Sequence, residues 1–294
     1  MTQSLRTDGS DRPTVDIGHV RVTALLDGAG DIGPITDSFP DVPAAELLAY
    51  TGRYPGVYGH DDQWHLWIRA WLIRAAGSLI LVDTGIGGEN APGQAWFETP
   101  GKLMGQLEAE GIRPADINLV VITHVHEDHA GGTVTSAGDP SFPAARYVVQ
   151  TADLAWQRAL APVDQEARAV WDTLLQPLLD NDVIQEVEGT VELASGVQVQ
   201  LLPGHTPGHQ VVRVASEGRR LVISGDAFTH PMQLSHPDWP NVSDDAPVIA
   251  ATSRRKLIAE LGSHPGMVLA PTHFAEPFGR MTFGPDHLAG WRAV

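Results

Sequence analysis

The run Leu119 to Thr123 is apolar, β-branched and of strand length, and it stops abruptly to release His124, His126, Asp128 and His129 within six residues. Imidazoles and carboxylates this dense just past a strand end suit a divalent transition metal. Alternate side chains of an extended segment share a face, so His124 and His126 can reach one ion together. Asp128 and His129 sit past the turn and can serve a second ion. Gly131 and Gly132 then let the chain approach closely or take unusual dihedrals as it leaves. One histidine in a polar loop is most simply a solvated residue. Three with an aspartate at this spacing point to metal, provided that later segments supply the remaining ligands.

The second half supplies them. Leu202-Pro203-Gly204-His205-Thr206-Pro207-Gly208-His209 follows a strand and is stiffened by two prolines. Gln210 to Ala215 and Leu221 to Ser224 read as the arms of a hairpin, which brings its two open ends together. His205 precedes the first arm and Asp226 follows the second, so both arrive at one sheet edge, with Asp226 a candidate bridging carboxylate. Met267 to Ala270 is a last buried strand, and Pro271-Thr272-His273 places another histidine at a strand terminus. Ser78 to Val82 is a further buried strand ending in Asp83-Thr84-Gly85. Asp83 there is either a turn residue or the acceptor for the free ring nitrogen of a metal-bound histidine. His209 is a candidate for a similar supporting role, and Phe228, Thr229 and His230 are candidates to face the pocket. Glu127 points elsewhere if strand alternation continues.

Other segments carry less chemistry. Val20 to Leu26 and Leu66 to Arg74 have strand character, and Asp27-Gly28 with Gly30 and Gly33 reads as a loop. Residues 50 to 71 hold Tyr50, Tyr54, Tyr58, Trp64, Trp67 and Trp71, which suit core packing or an apolar wall over a pocket. Helices are expected over 102 to 110, from a Thr151 cap through Leu160, over 163 to 179 with an interruption at Pro177, and over 247 to 261.

Hydrophobic residues at 43% and charged residues at 19% describe an ordinary globular chain of 294 residues, read as one domain from 15 to 294 behind a flexible leader over 1 to 14. Thirty-six acidic against 19 basic residues give a net charge of −17, which disfavours nucleic acid and anionic membrane as partners. There is no cysteine, so any metal is held by nitrogen and oxygen. The polar N-terminus lacks an apolar signal core, and no apolar stretch approaches the roughly 20 residues of a bilayer span. A cytoplasmic protein with a small-molecule substrate is the expectation, and the tryptophan-rich early region offers a surface for a homodimer.

The run Thr-His-Val-His-Glu-Asp-His, followed in order by His205, Asp226 and His273, resembles the metallo-β-lactamase superfamily over about residues 20 to 280. The resemblance implies an α/β architecture: an αβ/βα sandwich of two mixed β-sheets flanked by helices, with metals at one edge. It assigns His124, His126 and His205 to one ion, Asp128, His129 and His273 to the other, and Asp226 as the bridge. Two divalent ions are implied, zinc first, with manganese, cobalt or iron as other choices for such donors. A hydroxide between the ions would attack an ester-like carbonyl, with Asp128 relaying a proton to the leaving group.

Pro-Gly-His-Thr-Pro-Gly-His-Gln looks like the branch containing quorum-quenching acyl-homoserine lactonases and methyl-parathion-hydrolase-like enzymes. A lactone is therefore the first expectation. The similar lactonases carry a tyrosine three residues after the bridging aspartate, where this chain has Thr229. That departure favours the alternative of a phosphotriester or aryl-ester hydrolase. A glyoxalase II-like thioesterase and a single-iron persulfide dioxygenase share part of the motif. Substrate fit is left to the loops around residues 30 to 65 and 228 to 245.

Overall fold

The structure is a computed structural model that describes residues 12–89, 91–96, 99–283 and 289–294. Fourteen strands form two seven-stranded sheets among the described residues. The first runs in sequence order: β1 (Thr14–Ile17), β2 (Val20–Pro34), β3 (Gln63–Ala75), β4 (Ser78–Val82), β5 (Leu119–Val121), β6 (Arg146–Gln150) and β7 (Ile184–Val187). The second comprises β8 (Thr190–Ala194), β9 (Val197–Leu201), β10 (Gln210–Ser216), β11 (Arg219–Ile223), β12 (Val268–Ala270), β13 (Gly279–Phe283) and β14 (Ala289–Ala293), again in order across the sheet. Both sheets are mixed. β4 to β7 pair in parallel and β1 to β4 antiparallel, while β11 and β12 are the parallel pair of the second sheet.

Period-two alternation explains how the layers stack. On β4, Ile80 and Val82 face the core between the sheets while Leu81 faces the outer layer; on β5, Val121 faces inward and Val120 outward. The inter-sheet core draws Val22, Trp71 and Val148 from one side and Val199, Val212, Leu221 and Val268 from the other. Each such side chain contributes about 1.5–3 kcal/mol by leaving water.

Among the described residues there are eight α-helices: α1 (Ile35–Ser38), α2 (Ala44–Leu48), α3 (Leu103–Ala109), α4 (Glu127–Ala130), α5 (Thr151–Leu160), α6 (Gln165–Val170), α7 (Gln176–Asp180) and α8 (Pro247–Ser263). Leu103 and Leu107 of α3, Leu154 of α5 and Leu178 of α7 cover the outer face of the first sheet. Leu257 and Leu261 of α8 cover the second. No helix among the described residues is long and apolar enough to cross a membrane.

Four local expectations need correction. The glycine-rich stretch after Leu26 is not a loop: β2 runs on to Pro34, pairing with β3 across register shifts at Leu26/Gly28 and Asp31/Pro34, where glycine tolerates the bulged backbone. β1 opens at Thr14, inside the stretch expected to be leader; residues 1 to 11 lie outside the described residues. Thr151 does not cap α5, whose N-cap is Gln150; the Thr151 hydroxyl instead donates to the Val187 carbonyl at 3.4 Å. The break in the 165–180 helix falls before Pro177, as a π-helical turn over Trp171–Leu175 in which Gln176 N–H donates to the Trp171 carbonyl. Proline has no N–H to donate and its ring crowds the carbonyl four residues back, so the preceding turn widens.

Candidate metal centre

Strands ending at one edge deliver the site. β5 runs into His124, β4 into Asp83, β9 towards His205, β11 into Asp226 and β12 towards His273. In a sandwich whose parallel strands point the same way, their C-terminal ends meet. Three groups of donors gather there: His124, His126 and His205; His124, His129 and Asp226; and Asp128, His129 and His273, each group with its donor atoms within 4.8 Å of one another.

The distances separate two sets around one carboxylate. His126 Nδ1 lies 3.0 Å from His124 Nε2 and 3.1 Å from His205 Nε2. Nitrogens bound tetrahedrally to zinc at about 2.0–2.1 Å stand roughly 3.3 Å apart, close to this spacing. On the other side, His129 Nε2 is 3.4 Å from Asp128 Oδ2, and His273 Nε2 is 3.5 Å from the same oxygen. Asp226 lies between them. Its Oδ2 is 3.4 Å from His205 Nε2 and 4.0 Å from His124 Nε2, its Oδ1 is 3.2 Å from His129 Nε2, and His273 Nε2 lies 3.0 Å from Oδ1 and 3.1 Å from Oδ2.

The donor chemistry fits cations. His129 Nε2 and Asp226 Oδ1 are buried and neither makes a hydrogen bond, despite standing 3.2 Å apart. Burial and the neighbouring imidazoles push His124 well below its usual pKa, and burial pushes His126 down to about 3, leaving neutral rings that can donate lone pairs. Burial alone would lower His129, but the carboxylates of Asp128, Asp226 and Asp83 hold it well above its usual value. Burial would likewise raise Asp226, yet His273 and His129 keep it well below the carboxylate range. Buried carboxylates and imidazoles are thus gathered in mutual contact at this edge, a nitrogen and oxygen donor set suited to divalent cations.

The supporting residues act through the free ring nitrogens. Asp83, at φ +60°, accepts from His129 Nδ1 at 2.8 Å and from both the backbone and hydroxyl of Thr123 at 2.7 and 2.8 Å. His209 donates from Nδ1 to the Leu202 carbonyl at 2.9 Å and accepts the Asp226 backbone N–H on Nε2 at 3.0 Å. His273 Nδ1 donates to the Trp67 carbonyl at 2.7 Å. Gly131 and Gly132 are close-approach positions: a β-carbon would fall 2.2 Å from the Ile86 carbonyl oxygen and 2.3 Å from that of Thr84.

Three pocket candidates lie elsewhere. Phe228 is fully buried among Leu202, Val211, Leu257 and Phe274 in the outer layer of the second sheet. Thr229 donates its hydroxyl to Gln233 Oε1 at 3.2 Å. His230 is sealed beside the rings of Phe39, Tyr54, Tyr58 and Trp64, its Nδ1 accepting from Met232 N–H. The chain turns inward after Asp226 because apolar residues there bury against α8 and the aromatic cluster. Glu127 does avoid the donor sets, but because it opens α4 rather than by strand alternation.

Other supports were not visible beforehand. Asp244 faces His205 Nδ1 at 3.2 Å and takes Arg254 at 3.0 Å. Asp153, in the first turn of α5, accepts Val125 N–H at 2.8 Å and Gly208 N–H at 2.9 Å, tying two ligand loops together. Gln157, one turn on, donates to the Val125 carbonyl at 2.9 Å. The only signal for Asp153 was an acid early in a helix, which reads equally well as a dipole effect.

Two facing mixed sheets with a histidine–carboxylate cluster at one edge define an αβ/βα metal-site sandwich. The chain belongs to the Metallo-beta-lactamase superfamily, whose model matches residues 68–273, and it is a metal-dependent hydrolase. It is 26% identical over 195 residues to an N-acyl homoserine lactonase of Bacillus cereus, covering 62% of this chain and 72% of that one. It is 32% identical over 192 residues to Metallo-beta-lactamase domain-containing protein 1 of Mus musculus, covering 64% of this chain and 58% of the relative. The fold matches that of AidC, a dizinc quorum-quenching lactonase solved in complex with a product, at TM-score 0.83 and 22% identity over 96% of this chain and 97% of AidC.

Proposed function

We propose that the protein is a dinuclear hydrolase of neutral ester-like substrates, a lactone first among them. The observation that carries this reading is the Asp226 carboxylate standing between two donor sets, with His205 Nε2 3.4 Å away on one side and His129 and His273 Nε2 3.2 and 3.0 Å away on the other. His124, His126 and His205 would hold one divalent ion, Asp128, His129 and His273 the other, and zinc is the metal best suited to these nitrogen and oxygen donors. When bound, the pair supplies a Lewis acid for the acceptor oxygen and lowers the pKa of water to about 7.

The chain's own residues do the rest. His209 fixes the backbone beneath Asp226 and so the tilt of its carboxylate. Asp128, beside His129 and His273 at the second set, would relay a proton to the departing alkoxide. A cavity of about 290 Å³ beside His126 is walled by Trp156, Leu160 and Val170, with Ser243 from the 228–245 loop. That lining suits a substrate with an apolar arm, and Glu127, Asp164 and Glu166 around it disfavour anionic ones. The N-acyl homoserine lactonase relatives support a lactone as the substrate.

A second reading, a phosphotriester or aryl-ester hydrolase, is favoured by Thr229, whose hydroxyl is occupied by Gln233. Zinc-loaded protein assayed side by side on an N-acyl homoserine lactone, an aryl ester and a phosphotriester separates the two. The lactone is expected to give the highest kcat/KM, falling at least about 100-fold in Asp226→Asn. Turnover of the phosphotriester alone would replace the first reading with the second.

A further inference from the structure

Arg69 is one of the few cations in the interior. It sits on β3 at 3% exposure, and among the described residues no carboxylate lies within ion-pair distance of it. Burial brings its pKa down to about 9, opposed by the more distant Glu276. A cation placed so unfavourably needs a compensating set of acceptors.

Among the described residues, all of its hydrogen-bond acceptors belong to one segment. One terminal nitrogen donates to the Thr272 carbonyl at 3.0 Å and to the Phe274 carbonyl, and the other donates to the Ala275 carbonyl at 2.5 Å. Thr272 and Phe274 are the two neighbours of His273. The segment lies outside any strand or helix, so its carbonyls have no ladder to join, and the guanidinium fork takes that place. Trp67, two residues earlier on the same strand, accepts from His273 Nδ1 through its carbonyl, and the Arg69 guanidinium stacks 5.1 Å from the Trp67 ring. β3 therefore grips His273 twice, at the ring and at the backbone on either side. The opposite donor set uses other supports: Asp244 behind His205, and Asp153 with Gln157 around Val125.

We propose that Arg69 is the positioning residue for His273, and that through it β3 controls the Asp128/His129/His273 set separately from the His124/His126/His205 set. The proposal rests on the two-ion reading above. Arg69 touches neither an ion nor a substrate; it acts by holding three carbonyls in line. Lysine would present a point charge in place of a planar fork, and methionine would keep the stem while leaving all three carbonyls bare.

The test is a Co²⁺ titration of chelator-stripped wild type, Arg69→Lys, Arg69→Met and, to mark the affected set, His273→Ala. Wild type is expected to take two equivalents. Both Arg69 variants are expected to bind one with wild-type affinity and the other 10- to 100-fold more weakly, in the pattern of His273→Ala. Two equivalents at unchanged affinity, or equal weakening of both, would overturn the proposal. A second readout uses no metal. The His273 Nδ1 proton, identified in the NMR spectrum by its loss in His273→Ala, should exchange slowly in wild type and rapidly in Arg69→Lys; slow exchange in both overturns the proposal. Should wild type bind fewer than two ions, the two-ion reading falls by itself, and the proton exchange still decides the role of Arg69. Arg69→Lys carries both arms if Arg69→Met does not fold.

Discussion

Asp244 joins the metal centre to the interior. One of its oxygens faces His205 and the other takes Arg254, whose side chain is 1% exposed and also donates to the Pro237 carbonyl. Burial would raise the Asp244 carboxyl, but His205 and Arg254 hold it below its usual value. Removing one partner of a buried pair strands the other charge. Asp244→Ala is therefore expected to lose about 3–5 kcal/mol in urea unfolding of the metal-free protein, with Asp244→Asn milder; a change under about 1 kcal/mol in the alanine variant would count against this arrangement.

His230 makes the opposite kind of prediction. Burial lowers its pKa to about 3, against 6.5 for a free histidine. Between those values the unfolded chain binds the extra proton and the folded chain does not. Its contribution is thus complete above pH 6.5 and is lost as pH falls towards 3, by about 1.4 kcal/mol per unit. His230→Asn keeps an acceptor for Met232 N–H, and its stability should fall less steeply than wild type between pH 6.5 and 5. Parallel slopes would show that His230 does not titrate with unfolding.

Among the elements, the turns after strands carry the chemistry. Gly225 follows β11 at φ +47°, and a β-carbon there would stand 2.7 Å from His209 Nε2 and 3.0 Å from Thr123 Cβ. Gly225→Ala should cost about 1–3 kcal/mol in thermal or urea unfolding through left-handed backbone strain, and displace the nitrogen that accepts from Asp226. Unchanged stability would mean the turn relaxes freely.

These turns were legible because each pairs a short apolar run with a polar residue of definite chemistry: Val121 and Ile122 before His124, Val222 and Ile223 before Asp226. β4 has the bounds expected from its sequence for the same reason. Where that contrast fades, so did the reading. β14 has no β-branched residue, β13 joins β12 through the single pair Leu269↔Gly279, and neither was anticipated. The supports were hidden for another reason. Arg69, Asp153 and Asp244 gain meaning only from backbone groups far away in sequence, to which local periodicity is blind.

At the scale of the molecule, two sheets are locked by an apolar interior, and their strand ends share one edge. The centre is a consequence of that packing: Asp83 and His124 come from the first sheet, and His205, Asp226 and His273 from the second. A net charge of −17 disfavours anionic partners for the chain as a whole. Anomalous diffraction at the zinc edge, from crystals grown with excess zinc, tests the central claim most directly. Two peaks per chain flanking the Asp226 carboxylate are predicted, one within the His124/His126/His205 set and one within the Asp128/His129/His273 set. A single peak, or none between those side chains, would contradict it.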